Sequence, residues 1–391
     1  MGRSALRTLY VYAFFGALFF ERAVWINYLS HVGYSVAEIG ALQTLLTLAA
    51  FASELPSGIL ADRFGSQKVM IVGHLLIAVY IISMLCNIGY VALILGFVSY
   101  GIGLSLISGS DQTLLHATNP EQSYQHKIGI FEAISILGLA ISSVIGGYLT
   151  TVSWEAIFCI ELITQAIAIG LLLLIRVNTC RQVLADEKKM TIKQSLIELI
   201  NVLKSPKTSL IVITISLFQS SMSVLLNFVQ LLLGDKHISP FLSSIIITIG
   251  FVFSAIASLS IEKISNKIGN LVSITVFMGV TVLALLSFLG NGVVLIVAAF
   301  ILLRFGFEFV DTSLNVIMQE HSTDAVRTSV ISSVNTLTSA AMFVETILVT
   351  WIFSVWNVSV GFAVFGGVCV MLTIILFCCY MHLIRKESAA N

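Results

Sequence analysis

Charged side chains are scarce in this sequence. Asp, Glu, Lys and Arg make up 10% of its 391 residues, where a soluble domain carries roughly 25%. That shortage excludes a soluble fold, because 58% of the residues are apolar and no interior of this size could hide them all. No polar stretch is long enough to build a separate soluble domain. A nucleotide-binding glycine loop, a cluster of metal ligands and a Ser, His and Asp set in one aqueous pocket are also missing, so an enzyme is not expected and any driving energy comes from ion or substrate gradients. The six cysteines, at 86, 159, 180, 369, 378 and 379, show no pairing or metal-ligand spacing. Neither a disulfide framework nor a cofactor or metal is expected. Most are small apolar residues, and Cys378 with Cys379 near a helix end is open to acylation as well.

Long apolar stretches take the place of what is missing. Mean hydropathy is +1.01, and twelve stretches reach the roughly 20 mainly apolar residues that a membrane-spanning helix needs. They are 8–30, 36–60, 69–88, 90–115, 127–150 and 153–176, then 208–233, 241–261, 271–289, 292–317, 328–353 and 358–382. The fold class that follows is an all-α membrane protein of twelve transmembrane helices, with an N-terminal bundle at 1–176, a linker at 177–207 and a C-terminal bundle at 208–391. The linker is rich in Lys, Glu and Asp, and Thr191 to Leu203 has the amphipathic pattern of a helix lying on a membrane surface. The first apolar stretch is too long for a signal peptide and contains Glu21 and Arg22, so it is taken as span 1.

The net charge is zero, but its placement is uneven. Every Lys and Arg except Arg22, Arg304 and Lys236 falls at a terminus, in an even-numbered break between spans, or at the edge of one. The positive-inside rule then puts both termini and the linker in the cytoplasm. The expected location is a cell membrane crossed many times, of the bacterial cytoplasmic kind.

The two halves repeat each other. Leu60, Ala61, Asp62, Arg63, Phe64, Gly65 and Ser66, between spans 2 and 3, have a degenerate echo in Ile264, Ser265, Asn266, Lys267, Ile268, Gly269 and Asn270, and Gly103 of span 4 aligns with Gly306 of span 10. The stretch from Gly58 to Lys68 resembles the signature loop of the major facilitator superfamily, G-x-L-A-D-R-x-G-R-K. It matches at Gly58, Leu60, Ala61, Asp62, Arg63, Gly65 and Lys68, with Ser66 and Gln67 where the family more often has Arg or Lys. The patterns of drug/proton antiporters are incomplete: span 4 has Tyr100-Gly101-Ile102-Gly103 with no Arg, and span 5 keeps Gly146 and Gly147 of G-P-x-x-G-G without the Gly-Pro. The glycines suit a tight turn and close helix approach, while Asp62 and Arg63 either fix topology or serve as charges of a latch. The resemblance implies two six-helix pseudo-repeat bundles and a gate at Gly58, Asp62, Arg63, Gly65 and Asp111. Asp111 and Glu132, near the cytoplasmic ends of their spans, are either partners of Arg63 or substrate ligands.

Ionisable residues inside spans are functional candidates by default. In span 1, Phe14, Glu21, Trp25 and Tyr28 share one helical face, and in span 7 so do Gln219, Ser223, Asn227 and Gln230. Span 10 aligns Arg304, Glu308, Asp311 and Asn315, and span 4 aligns Gly101, Ser105, Ser108 and Gln112. The resemblance places spans 1, 4, 7 and 10 around a central cavity. Glu21 is then either a proton-coupling or substrate-binding acid, or half of a neutralised pair with Arg22 or Arg304. Arg304 with Glu308 is a buried ion pair or a moving contact. Trp25 and Tyr28 are cation-binding rings or interface anchors. Glu161 and Glu345, in spans the family places outside the cavity, are expected to be structural.

Secondary transport of a small molecule by alternating access is the expected function, foremost proton-coupled export of an amphipathic or cationic compound. The alternatives are a proton-linked symporter of a polar nutrient and a non-transport sensor on the same fold. Expected partners are a small-molecule substrate, protons and the lipid bilayer, with no nucleic acid, and a monomer is expected.

Overall fold

The computed structural model describes residues 3–108, 110–116, 124–175, 204–290, 292–320 and 324–390. Most of the expected linker, including the amphipathic stretch from Thr191 to Leu203, lies outside the described residues. The elements are α1 (Arg3–Gly16), α2 (Trp25–Val32), α3 (Val36–Phe64), α4 (Ser66–Cys86), α5 (Tyr90–Ile107), α6 (Ser110–His116), α7 (Tyr124–Leu149) and α8 (Trp154–Leu174), followed by α9 (Pro206–Asn227), α10 (Val229–Asp235), α11 (Pro240–Ile268), α12 (Asn270–Ser287), α13 (Val293–Glu320), α14 (Asp324–Val355) and α15 (Val358–Ala390).

Local chemistry sets several helix starts. Ser35 and Glu38 form a reciprocal capping box at α3, Ser153 accepts from the Ala156 amide at α8, and Ser205 with Pro206 opens α9. Eleven helices among the described residues are long and apolar enough to cross a membrane, one fewer than the twelve stretches in the sequence. The missing one is span 1, which is divided into α1 and α2 by the non-helical segment 17–24. Span 4 is divided as well, between α5 and α6 at Ser108, and span 7 between α9 and α10 at Phe228. Span 10 runs unbroken as α13. The helical faces expected across Glu21, Ser108 and Asn227 are therefore interrupted.

A break at membrane depth is tolerated only where other helices satisfy the freed backbone groups. At 17–24 they do. The Glu161 carboxylate on α8 accepts from the Glu21 amide at 3.0 Å, and Ser142 Oγ on α7 donates to the Phe19 carbonyl at 3.3 Å. The Phe20 carbonyl packs against Gly146, where a Cβ would overlap it. Gly146 is thus required by the broken segment.

The chain forms two compact units. One comprises Met1–Lys189 with Pro240–Ile245, and the other Met190–Ser239 with Ile246–Asn391. In the first, α1 packs on α7 and α8 while α4 packs on α5 and α8. Leu9, Met70, Leu115, Phe131 and Leu172 meet there in a buried apolar cluster. In the second, α9 packs on α13, α14 and α15. The rings of Phe228, Phe353, Phe362 and Phe288 follow one another at 5.7, 5.3 and 5.9 Å between centroids, locking the α9 break against α14 and α15.

The repeat extends to backbone conformation. Gly65 joins α3 to α4 at φ 93° and ψ 136°, and Gly269 joins α11 to α12 at φ 87° and ψ 142°. Each amide donates four residues back, to Ala61 and to Ser265, both at 2.9 Å. The signature stretch is less of a loop than the sequence suggests, since Gly58 to Phe64 are the last turns of α3 and the chain turns at Gly65 alone.

Candidate functional site

A buried polar cluster of the N-terminal unit gathers at the 17–24 break. Glu21 is 1% exposed and Glu161 0%. Glu161 Oε2 holds the Glu21 amide, and the Tyr100 hydroxyl donates to Glu21 Oε1 at 3.4 Å. The Tyr80 ring stacks parallel on Tyr100 at 4.3 Å. Arg22 is exposed and acts electrostatically on both carboxyls. Two carboxyls and a phenol in apolar surroundings can hold a proton or a cation, because a lone carboxylate buried there is costly.

Sequence reasoning assigns Glu161 a structural role away from Glu21, whereas the fold brings the two together. Glu161 does satisfy the broken backbone, as a structural residue would, but its Oε1 is left buried without a hydrogen-bond partner. The one sequence signal is its spacing from Gln165, a second buried polar residue one turn along α8. Gln165 Oε1 lies 2.6 Å from His74 Nδ1, and His74 Nε2 lies 2.8 Å from the Tyr12 hydroxyl. All three residues are buried. None of them is among the candidates drawn from the sequence.

The other candidates are dispersed. Trp25 opens α2 with its ring 5.4 Å from Phe97, and Tyr28 packs on Phe158 at 4.8 Å while its hydroxyl donates to the Met84 carbonyl at 2.7 Å. Their rings are committed to packing within the unit. In the C-terminal unit, Asn227 is the last residue of α9 and half-buried, and Gln230 is buried on α10. Gln219 Oε1 accepts from Thr338 Oγ1 at 3.1 Å. Along α13, the Arg304 guanidinium stands over the Phe251 ring at 5.0 Å with its Nε unpartnered, and Glu308 on the next turn acts on it electrostatically. Asp311 Oδ1 is buried without a partner, while its main-chain carbonyl accepts from Asn315 Nδ2 at 2.9 Å.

In the signature stretch, the Asp62 side chain lies outside the described residues. Arg63 is exposed, with its guanidinium 5.4 Å from the Phe64 ring. Asp111 is half-buried in the first turn of α6, and Glu132 is exposed on α7. A Cβ at Gly58 would meet nothing within 4 Å, so the expected close helix approach there is not found. Gln67 closes the C-terminal end of α8, its side-chain amide donating to the carbonyls of Leu172 and Ile175 at 2.5 and 2.9 Å. Where the family more often has a cation, a neutral donor caps the helix end.

Residues 9–345 match the family model described as Major Facilitator Superfamily. The chain belongs to that superfamily. Among curated relatives, an MFS-type transporter of Methanocaldococcus jannaschii is 30% identical over 134 residues, covering 34% of this chain and 33% of that protein. The methylenomycin A resistance protein of Bacillus subtilis is 35% identical over 130 residues, 32% of this chain and 27% of that protein. These alignments span about a third or less of each relative's length. Among solved structures, the nucleoside transporter NupG superposes with a TM-score of 0.78 at 14% identity, covering 97% of this chain and 99% of that chain. A POT family transporter in complex with 5-aminolevulinic acid gives 0.76 at 14% identity, covering 95% of each. Such likenesses establish the superfamily fold.

Proposed function

We propose that this chain is a secondary transporter that exports a small amphipathic or cationic compound in exchange for protons, by alternating access, across a bacterial cytoplasmic membrane. The observation that carries the reading is the buried meeting of Glu21 and Glu161 beside Tyr100 at the break in span 1. An acid placed there needs a proton or a cation whenever Arg22 does not serve it, which is the requirement of a site that exchanges one for the other. Family membership supports transport, and the name of the methylenomycin A resistance protein supports outward movement. Glu21, Arg22 and Glu161 form the proton site. Trp25, Asn227, Gln230, Arg304, Glu308 and Asp311 contribute to substrate passage. Gly58, Asp62, Arg63, Gly65 and Asp111 belong to the gate. Both termini face the cytoplasm, and the protein works as a monomer.

Expression in a host stripped of its own efflux pumps tests the reading against a panel of amphipathic and cationic compounds. The expected result is at least a fourfold rise in the inhibitory concentration of some of them, abolished by a protonophore and by Glu21→Gln. Increased sensitivity would point to uptake and sink the export reading. Resistance that survives the protonophore would sink proton coupling.

A further inference from the structure

We infer that Gln165 is a positioning residue for Glu161, held in place by a hydrogen-bond chain through His74 to Tyr12. The inference rests on the reading of the Glu21–Glu161 pair as a proton site and adds the device that sets its working pH. The direction of the chain follows from which atoms carry hydrogen. Gln165 Oε1 can only accept, so His74 Nδ1 is the protonated nitrogen, and the bare Nε2 accepts from the Tyr12 hydroxyl. Every donor points from α1 through α4 to α8, and the amide nitrogen of Gln165 is what remains to donate further.

That nitrogen is buried without a partner, and so is Glu161 Oε1, one helical turn away on α8. The two orphans are complementary, one a donor and the other an acceptor. Four residues apart on one helical face, they can pair directly or through one bridging water when Glu161 is a carboxylate. If the amide were turned over, its oxygen would face the carboxylate oxygen, two acceptors with nothing between them. With hydrogen on Nδ1, His74 opposes the turn because its Nδ1–H requires the oxygen on its own side, and the Tyr12 hydroxyl supports that tautomer by donating to Nε2. The other charged or titratable groups around the chain are Glu21 and Arg22 in the break, Tyr80 on α4 and Tyr100 on α5. Asp111 on α6 acts electrostatically on Tyr12. On α7, Lys127 is held at the Leu115 carbonyl and Glu132 is exposed.

The test uses the full-length protein in lipid, with no substrate needed. Infrared difference spectra over a pH series follow the protonated-carboxyl band that Glu161→Gln removes, and nitrogen-15 spectra report the His74 tautomer. Wild type should show His74 with hydrogen on Nδ1. In Gln165→Leu the carboxylate loses its donor, so the midpoint of the band moves to higher pH by at least half a unit, and His74 loses its single tautomer. Tyr12→Phe, which does not touch Glu161, should move the midpoint in the same direction by less, and it keeps the test open if Gln165→Leu does not fold. A wild-type band that does not titrate would overturn the proton-site reading itself. A band that titrates in wild type but keeps its midpoint in both variants, or a His74 hydrogen on Nε2, would overturn the positioning role alone.

Discussion

The Glu161 carboxylate accepts a hydrogen bond from the main-chain amide of Glu21, 140 positions earlier, at 3.0 Å. The two acids thus meet through backbone, and replacing either side chain has a different consequence. Glu21→Gln keeps the amide and its partner, so thermal stability in detergent should stay near wild type while proton-driven transport falls at least tenfold and substrate exchange persists. Glu161→Leu orphans the amide, which costs about 1–3 kcal/mol, so this variant should be the less stable of the two. Equal stability of both variants would mean that the break is held by something else.

Gly146 accommodates the Phe20 carbonyl, whereas Gly129 on the same helix has nothing within 4 Å of its would-be Cβ. Gly146→Ala should therefore destabilise the N-terminal unit by about 1–3 kcal/mol through overpacking. Gly129→Ala should be neutral or slightly stabilising, since it removes a glycine from a helix interior. A thermal-shift comparison in one detergent decides between them.

Gly65 and Gly58 belong to one signature stretch, yet only Gly65 has a backbone that a side chain resists. Gly65→Ala meets no neighbour but must adopt φ 93° and ψ 136°, a strain of about 1–3 kcal/mol. Transport should fall more in Gly65→Ala than in Gly58→Ala, whose added methyl meets nothing within 4 Å, as measured by efflux of whichever compound the resistance screen identifies. An equal loss in both variants would give Gly58 a contact made in another conformation.

Orientation is open to direct measurement. A reporter fused after Lys189 should be active on the cytoplasmic side, and one fused at Lys236 on the outer side. Reversal at either position would contradict the arrangement of Lys and Arg along the chain.

The presence of most spanning helices was legible in the sequence, because lipid demands about 20 apolar residues in a row and little else produces such runs. The turn at Gly65 and its echo at Gly269 were legible for a similar reason, since a tight left-handed turn demands a particular residue. The breaks in spans 1, 4 and 7 were not. Nothing between Gly16 and Trp25 forbids a helix, and what releases the backbone there are Glu161, Ser142 and Gly146, which lie far along the chain. The same holds for the site. Glu21 stood out as an acid in an apolar run, but its meeting with Glu161 and the chain from Gln165 to Tyr12 are tertiary. His74 in particular looks in sequence like one polar residue in an otherwise apolar helix.

The divided first span also bears on how the protein is made. α1 has 14 residues and α2 has 8, rising about 21 and 12 Å, so neither alone crosses roughly 30 Å of hydrocarbon. The amide of Glu21 must wait for an acceptor that is synthesised 140 residues later, an interval of roughly seven to thirty seconds at ordinary elongation rates. During that interval the segment between α1 and α2 either stays helical or keeps contact with water, and it takes its final form only when α8 enters the membrane. The segment that divides this span is therefore made well before α8 yet settles only after it, and truncations that end before α8 should leave the span in a different conformation from the one it holds in the finished protein.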